Sequence, residues 1–174
     1  MSNNIILDVD NLQVRFFYEQ GTVKAVNGVS YHLEEGQSAG IVGESGCGKT
    51  VSTYAVLNIL SSAGKIISGS IRYKREDGTA VDLAHLHPES EEMRSIRGKE
   101  ISMIFQEPMT ALSPVHTIYN QISEAIISHQ NIRKEQVRER VIDLLEKVGI
   151  PDPVKRVDDY PFQMSGGMRQ RAMI

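Results

Sequence analysis

Residues Gly43-Glu44-Ser45-Gly46-Cys47-Gly48-Lys49-Thr50 fit the pattern G-x-x-x-x-G-K-[ST] at every position, and no other stretch constrains the fold as tightly. Ala39, Gly40, Ile41 and Val42 precede it, short and apolar enough for a buried strand end. Val51 to Leu60 follows and is long enough for a helix. Glycines let a backbone curl until several N–H groups point at one place. The following helix adds the positive end of its dipole. Lys49 then supplies a point charge for the β- and γ-phosphates of a nucleotide, and Thr50 a hydroxyl for Mg²⁺. The plainer alternative is a Gly-rich turn that happens to hold a lysine. The strand–loop–helix setting favours phosphate binding.

The chain has 174 residues, enough for a core of its own, and its formal net charge is −3. It carries no basic excess to neutralise a phosphate backbone, so nucleic acid is not expected among its partners. Cys47 is the single cysteine, which excludes a disulfide within one chain and suits a reducing compartment. Its place in the loop reads as a small residue whose backbone amide does the binding, with a reactive thiol as the alternative. Met1 to Asp10 lacks the charged and apolar regions of a signal peptide. No apolar run approaches the ~20 residues of a membrane span, so membrane association is expected through a partner.

Along the chain, Ile5 to Val14 reads as an edge strand, with Phe16, Phe17 and Tyr18 at its end. Val23 to Leu33 reads as a second strand and Lys65 to Tyr73 as a third. Glu76-Asp77-Gly78-Thr79 is a hairpin turn, and Val81 to Leu83 returns. Pro88 to Gly98 suggests a short surface helix, and Ile101 to Phe105 a compact strand ending at Gln106. A polar residue at such a strand end can reach a metal or an attacking water, although on spacing alone a solvated amide is the favoured reading. His85 and His87 lack further ligands nearby and do not suggest a metal. Ser113 and Pro114 look like the cap and first residue of a helix with Val115, Ile118, Ile122, Ala125 and Ile126 on one face. A further helix spans about Lys134 to Val148 and stops at Gly149 and Pro151. Asp158 to Phe162 reads as a loop. In Met164-Ser165-Gly166-Gly167-Met168-Arg169-Gln170-Arg171, Ser165 caps a helix whose first turn carries two glycines. Glycines there cost helix stability but leave the N-terminal amides open to an anion.

In this order the motifs resemble the nucleotide-binding subunits of ABC transporters, over essentially the whole chain. Gly43 to Thr50 matches the family's Walker A loop, Gln106 its Q-loop glutamine, and Ser165-Gly166-Gly167 the core of its L-S-G-G-Q signature. Met164 and Met168 stand where that signature has Leu and Gln. Phe16 falls at the base-stacking aromatic, with Tyr18 a close rival. The run Ile104 to Pro114, like Ser165 to Arg171, looks like the di- and oligopeptide importer branch.

The resemblance implies an α/β fold: a P-loop NTPase (RecA-like) core with an antiparallel β lobe in residues 1–109, a helical lobe in 110–164, and the signature with the start of its helix in 165–174. It implies that the sequence is the N-terminal, truncated part of such a subunit, ending before the Walker B aspartate. The cofactors implied are ATP and Mg²⁺. Lys49 and Gln106 are the implied catalytic residues, with Thr50 and Gln106 on the metal. The nucleotide would touch Phe16, Gly43, Glu44, Ser45, Gly46, Cys47, Gly48, Lys49, Thr50 and Val51, and on the facing subunit Ser165, Gly166, Gly167 and Met168. Implied partners are a second ATP-binding subunit (identical or homologous), transmembrane permease subunits and, indirectly, an external peptide-binding protein. The place implied is peripheral, on the cytoplasmic face of the membrane. A soluble ABC-type ATPase without a permease and a fragment that binds without hydrolysis are the alternatives. A GTPase would need D-x-x-G and N-K-x-D, and neither occurs in these residues.

Overall fold

The computed structural model describes residues 4–105, 112–130 and 132–174. The chain divides into two compact units, Met1–Ile101 and Ser102–Ile174.

The first unit is built on β1 (Ile5–Tyr18), β2 (Gly21–Glu34), β3 (Gly64–Lys74) and β4 (Ala80–Asp82), all antiparallel, in the order β2-β1-β3-β4. The edge position expected for the first strand is therefore wrong. β3 returns along its free side, so β1 is interior and β2 lies at the edge. The apolar alternation Ile5, Leu7, Val9 skips a residue before Leu12 and Val14, and a bulge sits at that skip. Asn11 takes φ 47°, and a Cβ on Gly69 of the neighbouring strand would lie 2.5 Å from the Asn11 carbonyl oxygen. The extra residue restores Leu12 and Val14 to the buried face beside Val9.

Helix α1 (Lys49–Val56) covers that face with Ala55 and Val56. It stops four residues earlier than Leu60. Asn58 turns left-handed at φ 51°, and Asn58 N–H and Ile59 N–H bond back to Ala55 and Tyr54, 3.0 Å each. This is a Schellman ending with Asn in place of Gly. Arg97 reinforces it, donating from Nε to the Leu57 carbonyl at 2.8 Å and from Nη2 to that of Asn58 at 3.1 Å. Helix α2 (Glu91–Ile96), capped by Ser90, is not a free surface helix: Met93 and Ile96 are completely buried in the same core.

Two expected strands are absent. Ala39 to Val42 and Ser102 to Phe105 join no ladder among the described residues, and only Ile101 makes a single bridge, to Arg97. Val42 is 91% exposed and Ile104 62%. An apolar run becomes a strand only when another strand offers its N–H and C=O groups.

The second unit packs α3 (Ile118–His129), α4 (Lys134–Lys147) and α5 (Pro153–Arg156), with α6 (Gly166–Met173), around Ile118, Ile126, Val137, Val141, Leu145, Ile150, Val157 and Met164. α3 begins at Thr117, whose hydroxyl accepts from Asn120 N–H at 3.2 Å, rather than at Ser113. Ser113 N–H is taken instead by Gln121 Oε1 at 2.8 Å, and Gln121 Nε2 donates to the carbonyls of Ser113 and His116 at 3.1 and 2.9 Å. That amide holds residues 113–117 in a turn. It leaves Val115 73% exposed, contrary to its expected place on the helix face, and Ser123 is buried where Ala125 was expected. α4 ends as expected: Gly149 takes φ 72°, and Gly149 and Ile150 N–H bond to Glu146 and Leu145 at 2.8 and 2.9 Å. The expected loop before Ser165 contains a short 3-10 turn, Pro161–Gln163.

Candidate functional site

β2 ends at Glu34, no strand among the described residues leads into Gly43, and the loop enters α1 directly at Lys49, so Lys49 and Thr50 already belong to the helix. Gly48 is the cap residue of α1, at φ 96°. A Cβ there would lie 2.3 Å from the Ala25 carbonyl oxygen, so the base of the loop touches β2 where only hydrogen fits. A Cβ on Gly43 would lie 2.8 Å from Cys47 Sγ across the curl. Lys49 folds back over the loop. Its Nζ donates to the carbonyls of Gly43 at 2.8 Å and Glu44 at 2.6 Å, with Cys47 Sγ at 3.6 Å. Gly43 to Cys47 and Thr50 are exposed. No acidic residue occupies the first turn of α1, so nothing within that turn offsets the positive end of its dipole.

Ser52, 4% exposed, supports that turn from behind, its hydroxyl donating to the Lys49 carbonyl at 2.7 Å. Tyr31 of β2 pairs with Ser52; burial pushes its phenol above the usual value, against the opposing effect of that hydrogen bond. Sequence reasoning missed Ser52, Tyr31 and Ala25: Tyr31 and Ala25 act from β2, distant in sequence, and nothing local sets Ser52 apart from the other residues of α1.

Phe16 and Tyr18 share one face of β1, their rings stacked with centroids 6.2 Å apart and planes 8° from parallel. Phe16 is half-buried and packs against the core, with Cε1 2.8 Å from where a Gly64 Cβ would stand. Tyr18 is 55% exposed. Phe17 points to the opposite face.

In the second unit Ser165 caps α6, its hydroxyl accepting from Met168 N–H at 3.3 Å. A Cβ on Gly166 or Gly167 would meet nothing within 4 Å, so no packing among the described residues requires these glycines. They keep the amides of the first turn bare, and no acidic side chain neutralises them. Met168 and Ala172 face the core behind. Gln106 lies outside the described residues. Among the described residues no group of three or more His, Cys, Asp or Glu side chains is arranged to hold a metal. His85 Nδ1 lies 3.0 Å from Asp82 Oδ2.

The donor set suits Mg²⁺–nucleotide. Gly43 and Gly48 shape a cradle that side chains would fill. One exposed hydroxyl at Thr50 is enough for an ion that keeps most of its waters and takes its other oxygens from phosphates.

A family model described as ABC transporter matches residues 26–174. The chain belongs to the ABC transporter family. Curated relatives include the dipeptide transport ATP-binding protein DppD of Bacillus subtilis (strain 168), 46% identical over 170 residues, which cover 97% of this chain and 49% of the relative. DppD of Escherichia coli (strain K12) is 43% identical, with 97% and 50% covered. The oligopeptide transport ATP-binding protein AppD of Bacillus subtilis is 42% identical, again with 97% and 50% covered. This ABC transporter chain therefore spans about half the length of the curated relatives it matches. Its fold is that of solved cassettes. The dimeric structure of a bacterial ABC transporter cassette superposes with a TM-score of 0.79 at 21% identity, covering 97% of this chain and 67% of that one. A dimeric post-hydrolysis ATP-binding cassette bound to ADP and Pi gives 0.78 at 20% identity, with the same coverage.

Proposed function

We propose that this chain is the nucleotide-binding portion of an ATPase subunit that powers import of di- or oligopeptides through a membrane permease. The observation that carries the reading is the loop itself: Lys49 held within 2.8 Å of the Gly43 and Glu44 carbonyls, at the mouth of a helix whose first turn holds no acidic residue. The names of relatives 42–46% identical supply the peptide class.

In this reading residues 1–109 form the ATP-binding core and β lobe, 110–164 the helical lobe and 165–174 the signature. Amides from Gly43 to Val51 wrap the phosphates, and Lys49 moves its donors from the loop carbonyls to phosphate oxygens. Thr50 and Gln106 hold Mg²⁺, which when bound neutralises charge on the phosphates. Gln106 also orients the water. Phe16, extended by the stacked Tyr18, carries the base. Ser165, Gly166, Gly167 and Met168 close over the nucleotide of a second ATP-binding subunit, identical or homologous. ATP then bridges the two chains, and its hydrolysis separates them and resets the permease. The place that goes with this reading is peripheral, on the cytoplasmic face of the membrane, with the external peptide-binding protein met only through the permease; no helix among the described residues is long and apolar enough to cross a membrane.

The test is uptake of labelled di- and oligopeptides by cells carrying the gene intact or as Lys49→Ala, with ATP-analogue binding measured on the purified protein. Binding and uptake both lost in the variant support the reading. Binding without any effect on peptide uptake overturns the transport assignment and leaves a soluble ATPase.

A further inference from the structure

We infer that Arg171 is a positioning residue for the signature turn: it fastens α6 to the C-terminal end of α4 and thereby aims the Gly166 and Gly167 amides. The inference rests on the reading of Ser165 to Met168 given above. α6 is thinly held. None of its residues is fully buried; Met168 and Ala172, one turn apart, are the apolar side chains it lays on the core, with Arg169 and Met173 half-buried beside them. A helix with no fully buried side chain is free to roll more than one anchored in a core. α4 is so anchored: Val137, Val141 and Leu145 hold it at 1% exposure or less.

Arg171 lies beside the Met168–Ala172 line, three residues after Met168, and its Nη1 donates to the Gly149 carbonyl oxygen. Gly149 is the left-handed residue that closes α4, so the guanidinium meets both a terminal carbonyl and the negative end of the α4 dipole. A Cβ at Gly149 would stand 3.3 Å from Nη1, so the guanidinium would have to give by a few tenths of an ångström. Arg97 does the same at the end of α1, where two carbonyls receive its guanidinium. At α6 the consequence reaches the candidate site. Ser165, Met168 and Arg171 follow one another at three-residue intervals, so a roll released at Arg171 turns the capped end as well. Bare amides bind phosphate by direction as much as by distance, and small misplacements of such donors are costly.

The experiment measures two quantities on the intact protein with a non-hydrolysable ATP analogue: affinity of the unpaired chain, and the analogue concentration giving half-maximal pairing. Arg171→Ala should raise the second about tenfold, the low end of what one charged hydrogen bond is worth because this one is exposed, and leave the first unchanged. Arg171→Lys should recover most of the loss, and Gln170→Ala on the same helix should change neither. A purely structural role would lower the unfolding temperature without separating pairing from affinity. If Arg171→Ala does not fold, the comparison passes to Arg171→Lys and Arg171→Gln, where equal pairing overturns the inference. Unchanged pairing in Arg171→Ala, with pairing lost in Ser165→Arg, overturns the positioning role alone. Unchanged pairing in Ser165→Arg overturns the signature reading, and the inference with it.

Discussion

The Cα hydrogen of Gly48 faces the carbonyl oxygen of Ala25, and a methyl carbon in its place would come within 2.3 Å of that oxygen. The neighbour is backbone in an edge strand, so it cannot swing aside. Gly48 also sits at φ 96°, where an L side chain costs about 1–2 kcal/mol before any clash. Gly48→Ala should therefore lift the start of α1 off β2, with nucleotide affinity falling at least about tenfold, which is ~1.4 kcal/mol. Titration with a fluorescent ATP analogue checks the affinity and a thermal melt the fold.

Lys49→Ala separates binding from stability. The ammonium bonds exposed carbonyls that water can serve in its absence, so the unfolding temperature should hardly move. Nucleotide loses a charge-assisted contact of roughly 1.5–3 kcal/mol, or about one to two decades of affinity. Equal affinity of variant and parent would remove the phosphate assignment from the loop.

Ser165→Arg and Ser165→Ala should differ. Each removes the cap to Met168, at a cost of about 1 kcal/mol. The arginine also fills the open space before Gly166 and Gly167. Size-exclusion chromatography with a non-hydrolysable analogue should show pairing abolished in the first and only weakened in the second. A full dimer peak in Ser165→Arg would reduce this turn to a structural cap.

The second unit should show an acid-sensitive element. The Arg138 guanidinium, which hydrogen-bonds Asp158 and lies 5.5 Å over the Tyr119 ring, holds the Asp158 carboxyl below its usual range. A carboxyl lowered in the folded state stabilises it above the ordinary carboxylate pKa, and the contribution is lost as pH falls through the lowered value. Asp158→Asn should lower the unfolding temperature slightly at pH 7 and not at pH 2. The pair is exposed, so the effect is small and should shrink further in salt.

Legibility in the sequence followed the range over which each feature is decided. The helix start at the end of the Gly43–Gly48 loop, the Gly149 stop and the Ser165 cap depend on residues within one turn, and each stands where spacing put it. Choosing Ser113 over Thr117 as a cap failed because both are sound caps, and what separates them is the Gln121 amide four residues beyond Thr117. Strand order failed for a longer-range reason: nothing in Ile5 to Val14 announces that β3 will return beside it. The bulge at Asn11 was visible as a missed beat between Val9 and Leu12, although the apolar residues were read as one strand. Apolarity at Ala39 to Val42 and Ile101 to Phe105 says that a partner strand is wanted, not that one is present. Gln106 and the run to Ala111 lie outside the described residues.

The bulge at Asn11 acts as a ruler. Phe16 stands opposite Val23 on β2, and two residues further along β2 the Ala25 carbonyl receives Gly48. A slip of β1 by one residue would shift the aromatic by about 3.3 Å and turn it to the other face. It cannot slip cheaply, because Gly69 on one neighbour and Gly28 on the other, whose Cβ would meet Asn11 Oδ1 at 3.0 Å, leave room for the bulge at a single setting. The span from Phe16 to the Gly43–Thr50 loop is thus gauged in part by a misfit residue and the two glycines that accommodate it, and in part by a second register shift between Val14 and Arg15, at Ala25 itself.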